Sequence, residues 1–243
     1  MVITTEYKEI RGNMNNFIDI IQEAEIFTGI DRSELRVMLS CLGAEVKEAK
    51  KGDILLQAGD KPEHIGLVLE GMLYVHRDDY DGNRILVTVL TPKELFAEAL
   101  CCADVRESPV TVIAEADSFI LLMSFSRIIH TCSNICSHHT KLIANMLGII
   151  ANRNLTLQNR MEIVSIKSIR TKVLRFLESY VTMNTKVGKV SNDCTQSLEI
   201  TVPFNREQMA NYLSVERSAL SHELIRMKNE GLIEYNKNKF ILK

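Results

Sequence analysis

Three changes of pattern along the 243 residues predict an α+β fold: an N-terminal β jelly roll, a long helix and a C-terminal winged helix-turn-helix. From about Glu45 to Met123, short apolar runs alternate with a period of two and are broken by turn residues. From Ser126 to about Met161 the period becomes helical, with no proline and a single glycine. Two short amphipathic helices and a terminal hairpin then close the chain. The expected divisions are a tail at 1–15, a sensor-like barrel at 16–125, the long helix at 126–162 and a terminal domain at 163–243.

Composition supports an ordered chain. Apolar residues make up 46% and charged residues 25%, with only 11 Gly and 4 Pro, which is enough to bury a core in each of two modest domains. No apolar run approaches the roughly 20 residues that cross a bilayer, and MVITTEYKEIRGNMNN is too polar for a signal peptide. A cytoplasmic protein without a membrane partner is expected. Cys41, Cys101, Cys102, Cys132, Cys136 and Cys194 then read as reduced thiols, not as a disulfide framework. The net charge of -2 conceals an asymmetry: from Val164 onward there are 13 Lys and Arg against 8 Asp and Glu, while the rest has 16 against 23. A polyanion would prefer the C-terminal part.

Element by element, EVKEAKKGDILLQAGDKPEHIGLVLEGMLYVHRDDYDGNRILVTVL and SPVTVIAEADSFILLMS give the strands. Gly52, Gly59, Gly71 and an Asp81-Gly82-Asn83 turn punctuate them. TPKELFAEALC reads as one short helix between strands. In the long helix Leu142, Ile143, Met146, Leu147, Ile149 and Ile150 form a broad apolar face. A helix of this length outruns a small barrel, so Leu142, Ile143, Met146, Ile149 and Ile150 are expected to meet a second copy in a twofold dimer. A hinge is expected near Glu162 to Ser165, then a helix from about Ser165 to Met183, a polar loop NTKVGKVSNDCTQS and a strand in LEITVPF.

REQMANYLSVERSALSHELIRMKNEGLI has the layout of a helix-turn-helix. Asn205 is placed as an N-cap with Gln208 three residues on, Met209, Ala210 and Leu213 face inward, and a tight turn near Ser214 leads into a second helix. That helix turns Leu220, Leu224 and Met227 to one side and Arg217, Ser218, Ser221 and His222 to the other. A solvated face would carry Lys and Glu; these residues instead suit base edges and phosphates of a duplex. Arg206, and Lys237 and Lys239 in the hairpin wing, are candidate phosphate contacts.

The order of these parts, with KGDILLQAGD, IGLVLEGMLYV, ELFAEAL and LSVERSALSHELIRMKNEGLI, resembles the Crp/Fnr family of bacterial transcription regulators over nearly the whole chain. The resemblance implies a barrel of the cyclic-nucleotide-binding kind and a homodimer joined along the long helix. It also implies a palindromic operator with half-sites about one helical turn apart, and a contact with RNA polymerase. Arg217, Ser218 and His222 fall where the family commonly reads bases with Arg, Glu and Arg. Ser218 and His222 depart from that set, so the family's best-known operator does not carry over.

For the barrel, the resemblance supplies a test. Cyclic-nucleotide-binding relatives hold ribose and phosphate with Phe-Gly-Glu and pair the cyclic phosphate with Arg-Ser; here the corresponding residues are Phe96-Ala97-Glu98 and Ser108-Pro109. Ser108 cannot replace the fork of donors and fixed charge of Arg, and Pro109 has no N–H to offer. Arg106 stands two residues upstream, but Glu107 beside it opposes an anion. The adenine-facing position falls near Leu157-Gln158, where nothing suits the base. Cyclic AMP is therefore not expected, and the barrel is left for an unknown small-molecule effector or none. No cofactor or metal is assigned. Cys132-x3-Cys136 with His138 and His139, and Cys101-Cys102, leave thiol or haem redox sensing as an alternative. An enzyme is not expected, because His64 and His76 form no metal set and GxSxG, HExxH and P-loop motifs are absent. A sensing protein that acts through a protein partner would not need the basic terminal domain.

Overall fold

The computed structural model describes residues 14–79, 81, 84–129, 137–186 and 199–242. Gly82 and Asn83 of the expected turn, Cys132, Cys136 and Cys194, residues 1–13 of the tail, 130–136 of the long helix and 187–197 of the polar loop lie outside the described residues, as does the side chain of His138. The chain divides into two compact units, Met1–Ala151 and Asn152–Lys243.

In the first unit, helices α1 (Ile18–Glu23) and α2 (Arg32–Cys41) precede strands β1 (Glu45–Ala49), β2 (Ile54–Leu56), β3 (His64–Glu70), β4 (Leu73–Asp78), β5 (Arg84–Leu90) and β6 (Leu95–Phe96). Helix α3 (Glu98–Cys102), strands β7 (Thr111–Ala114) and β8 (Ser118–Ser124) and helix α4 (Phe125–Ile129) follow. Two antiparallel four-stranded sheets result, ordered β1-β8-β3-β6 and β2-β7-β4-β5. They share a core in which Val68, Phe96 and Ile120 of one sheet meet Leu73, Val75 and Val112 of the other. The far side of the first sheet carries a second core, where Ile65, Leu67 and Met123 meet Ile21, Leu35 and Leu39 of the leading helices. Strand β3 is consequently buried on both faces, which is why IGLVL, within HIGLVLE, is an unbroken apolar run. The stretch TPKELFAEALC is not one helix: Leu95–Phe96 pairs with β3, and only Glu98–Cys102 is helical.

Helix α5 runs Ser137–Ser165. Its first half is locked down within the first unit, Asn145 Nδ2 donating to the Ile26 and Thr28 carbonyls at 2.9 and 3.0 Å. Leu142, Met146 and Ile149, expected on a partner-facing side, are instead buried in the unit's own core; Ile143 and Ile150 are only half-buried at its margin. The amphipathic stripe was real, but the leading helices Ile18–Glu23 and Arg32–Cys41 supply the apolar surface that covers it. From Ala151 to Glu162 every residue is exposed.

The helix ends at the far edge of the Glu162 to Ser165 stretch, near which a hinge is expected. The helix continues through Ser165, whose Oγ donates to the Met161 carbonyl at 2.8 Å, and helix α6 (Ile169–Lys186) starts after Ile166–Ser168. Nothing in MEIVS is a breaker, so helical propagation carries on to Ser165, and the next helix opens with the Lys172 N–H bonding the Ser168 carbonyl at 3.0 Å. Strand β9 (Glu199–Thr201), helices α7 (Arg206–Leu213) and α8 (Arg217–Asn229) and strands β10 (Ile233–Asn236) and β11 (Lys239–Leu242) complete the second unit, the strands ordered β10-β11-β9. Among the described residues no helix is long and apolar enough to cross a membrane.

Candidate nucleic-acid interface

Helix α7 starts where its sequence says it should. Asn205 Oδ1 accepts the Gln208 N–H at 2.9 Å and Gln208 Oε1 accepts the Asn205 N–H at 2.9 Å, a reciprocal cap that satisfies two otherwise orphaned donors. The helix stops at Ser214, which turns left-handed with φ 51°. The Val215 N–H then bonds the Ala210 carbonyl at 3.0 Å and sends the chain into α8. Met209, Ala210 and Leu213 on one helix and Leu220, Leu224 and Met227 on the other are all buried in the unit's core. Truncating any one of the five larger ones to Ala would cost about 2–5 kcal/mol.

With that face spent, α8 turns the opposite one outward. Arg217, Ser218 and His222 are exposed and Ser221 is half-buried. Ser218 Oγ donates to Glu216 Oε1 at 2.8 Å and Ser221 Oγ to the Arg217 carbonyl at 2.8 Å, so each hydroxyl hydrogen is engaged while its lone pairs face out as acceptors. Ile225, 51% exposed, continues the same stripe at i+7 from Ser218 and i+3 from His222. The sequence reading passed over it, although an apolar residue beside the buried Leu224 falls off the core face by one residue's rotation and was detectable on that ground.

A second group was not read from the sequence at all. Arg170, at the start of α6, donates from Nε to Glu223 Oε1 at 2.7 Å and pairs through Nη1 and Nη2 with the two Glu230 oxygens at 2.7 and 2.9 Å. Lys172 is buried and its Nζ donates to the Leu213 carbonyl at 2.8 Å, satisfying an end of α7. These contacts hold both helices of the pair against α6. The hydrogen bonds from Arg170 keep the Glu230 carboxyl below its ordinary range. Separated by more than 40 positions in the chain, such partners leave no periodic signal.

In the wing, Lys237 occupies the tight turn with φ 54°, and Lys239 opens β11; both are exposed. Arg206, a candidate phosphate contact, packs against the wing. Its guanidinium carbon lies 5.1 Å from the centroid of the Tyr235 ring and 5.7 Å from that of Phe240, Nη2 donates to the Lys237 carbonyl at 3.4 Å, and burial lowers its pKa. It braces the first helix against the wing.

The barrel residues singled out for an effector are arranged to different ends. Phe96 lies over Gly66 so closely that a Cβ there would sit 2.1 Å from its ring. Ala97 is left-handed with φ 63°, and Glu98 is buried, 2% exposed, in the first turn of α3. Ser108 is buried and its Oγ donates to the Val110 carbonyl at 2.7 Å, while its own N–H bonds the Asp60 carbonyl at 2.7 Å. Arg106 and Pro109 are exposed. Leu157, 59% exposed, belongs to the other unit. Among the described residues no three His, Cys, Asp or Glu side chains are grouped to hold a metal ion. Burial pushes the Cys101 thiol up to about 11, whereas Cys41 and Cys102 are exposed.

The second unit matches a known pattern, and so does the first. Residues 46–134 match the family model of the cyclic nucleotide-binding domain, and residues 172–243 that of the Crp-like helix-turn-helix domain. The fold is similar to that of the catabolite activator protein of Thermus thermophilus, with 16% identity and a TM-score of 0.51 over 90% of this chain and 94% of that one. It is similar also to CprK complexed with OCPA, with 14% identity and a TM-score of 0.53 over 86% of this chain and 88% of that one. No curated protein sequence matches the chain.

Proposed function

Since this chain belongs to the Crp/Fnr family of transcription regulators, carrying a cyclic nucleotide-binding domain and a Crp-like helix-turn-helix domain, we propose that it acts as a homodimer on a palindromic duplex operator. Each copy places α8 in a major groove. The observation that carries this reading is the capped, buried helix pair that leaves Arg217, Ser218 and His222 exposed on one stripe of α8. Arg217 offers a fork of donors to guanine or phosphate, Ser218, Ser221 and His222 bond base edges, and Ile225 meets a thymine methyl. Lys237 and Lys239 contact phosphates, and Arg206 holds the wing in place for them.

The dimer joins along α5. Its apolar surface comes from Leu147, Leu157 and Met161, which are 60%, 59% and 70% exposed, together with the half-buried Ile143 and Ile150. The protein works in the cytoplasm, contacts RNA polymerase and catalyses no reaction. Its barrel does not answer cyclic AMP, because Ser108 stands where the phosphate-pairing Arg would be and spends its hydroxyl on the Val110 carbonyl and its N–H on the Asp60 carbonyl. A different small-molecule effector is left to act on it.

Fluorescence anisotropy of the full chain on its own promoter DNA tests the reading. Specific duplex should bind at least about a thousandfold tighter than random duplex, with affinity falling steeply as salt rises. Equal binding to both duplexes would reject it. For the effector, cyclic AMP should leave the unfolding midpoint unchanged; a rise at micromolar nucleotide would reverse that assignment.

A further inference from the structure

The exposed side of α5 contains a pattern finer than an apolar stripe. Ile143, Leu147, Ile150, Asn154, Leu157, Met161 and Val164 are spaced alternately four and three residues apart over three heptads. None of the seven is fully buried: Leu147, Asn154, Leu157, Met161 and Val164 are exposed, and Ile143 and Ile150 half-buried. The neighbouring stripe, Leu142, Met146 and Ile149, is the one consumed by the unit's own core. The helix therefore carries two adjacent seams, one filled within the chain and one open.

A seam of this period fits one kind of partner well, another helix with the same period, and a second copy of this chain supplies it. Asn154 stands out in it, since six of the seven seam residues are apolar. Buried against an apolar residue of a partner helix, its amide would lose its water without replacement. Only the alignment that places Asn154 opposite Asn154 lets the two amides bond each other. A stagger of one heptad would leave both amides facing apolar side chains, and would also abolish the twofold axis on which reading of a palindrome depends.

We propose that Asn154 pairs with Asn154 of a second copy across an α5–α5 seam and so locks a parallel, in-register dimer. This rests on the dimeric reading above and adds the residue that sets its alignment. The polar pair weakens the dimer relative to an apolar seam and in exchange excludes other registers and higher oligomers.

Asn154→Ile in the full chain tests it. The position is exposed in the single chain, so folding of the variant is unaffected. Sedimentation equilibrium should show N154I associating at least about tenfold more tightly than wild type, with species beyond the dimer. An equimolar mixture of differently tagged wild type and N154I should form heterodimer at well under the statistical half, because each mixed pair strands one amide. If N154I associates no more tightly, or mixes statistically, the lock is wrong and the dimeric reading survives. A wild-type chain that remains monomeric at high micromolar concentration overturns both.

Discussion

The segment from Phe96 to Val110 and the segment from Asn205 to His222 are built with the same device and put to opposite use. Each turns on a left-handed residue that is not glycine, Ala97 in one and Ser214 in the other. In the barrel, Ala97 leads into a helix whose first residue, Glu98, is buried, and Ser108 downstream spends its hydroxyl on the Val110 carbonyl and its N–H on the Asp60 carbonyl. In the second unit, Ser214 separates two helices whose apolar faces close on each other, and Arg217, Ser218 and His222 remain outside. Polar residues in a suggestive order are thus left exposed in one case and engaged within the fold in the other. What separates them is whether the chain itself satisfies their hydrogen-bonding groups.

The comparison can be broken at four points. Replacing Arg217 and His222 together by Ala should weaken operator binding by about a hundredfold or more, since each specific contact is worth about 1–3 kcal/mol. Thermal stability should stay within about 0.5 kcal/mol of wild type, because both side chains are exposed. Loss of stability with binding intact would mean that α8 is scaffolding too. Ser108→Ala should behave in the reverse way, destabilising the first unit by about 1–2 kcal/mol in denaturant titration by removing a buried, engaged hydroxyl.

A gain is expected at Ala97. With φ 63°, Ala97→Gly should relieve a left-handed strain and raise stability by about 1 kcal/mol, read as an upward shift of the first unit's unfolding midpoint. The smallest effect concerns Glu230. Arg170 lowers its pKa from the ordinary 4.5, so the pair's contribution is fully present above that value and is lost as pH falls through the lower folded one. Unfolding midpoints measured down into that acid range should fall for wild type and fall less for Arg170→Leu.

Much of the second unit was legible because its signals are local. The Asn205–Gln208 reciprocal cap, the inward Met209, Ala210 and Leu213 and the turn at Ser214 all lie within ten residues, where propensity and period speak directly. The long-range parts were not legible. Arg170 meets Glu223 and Glu230 across more than 50 positions, and Arg206 finds Tyr235 and Phe240 only once the wing has folded back. The stripe expected to face a partner lost Leu142, Met146 and Ile149 to the core for the same reason: period alone identifies apolar faces but does not say which one the chain covers for itself.

By itself the sequence determined the order of sheet, long helix and capped helix pair and the positive bias of the C-terminal part, because period and charge are properties of neighbouring positions. Only the tertiary structure decided that Leu142, Met146 and Ile149 are core, that α5 runs on to Ser165, and that Arg206 braces the wing. Those outcomes turn on which distant surface comes to rest against each side chain, and burial is a property of the packed whole.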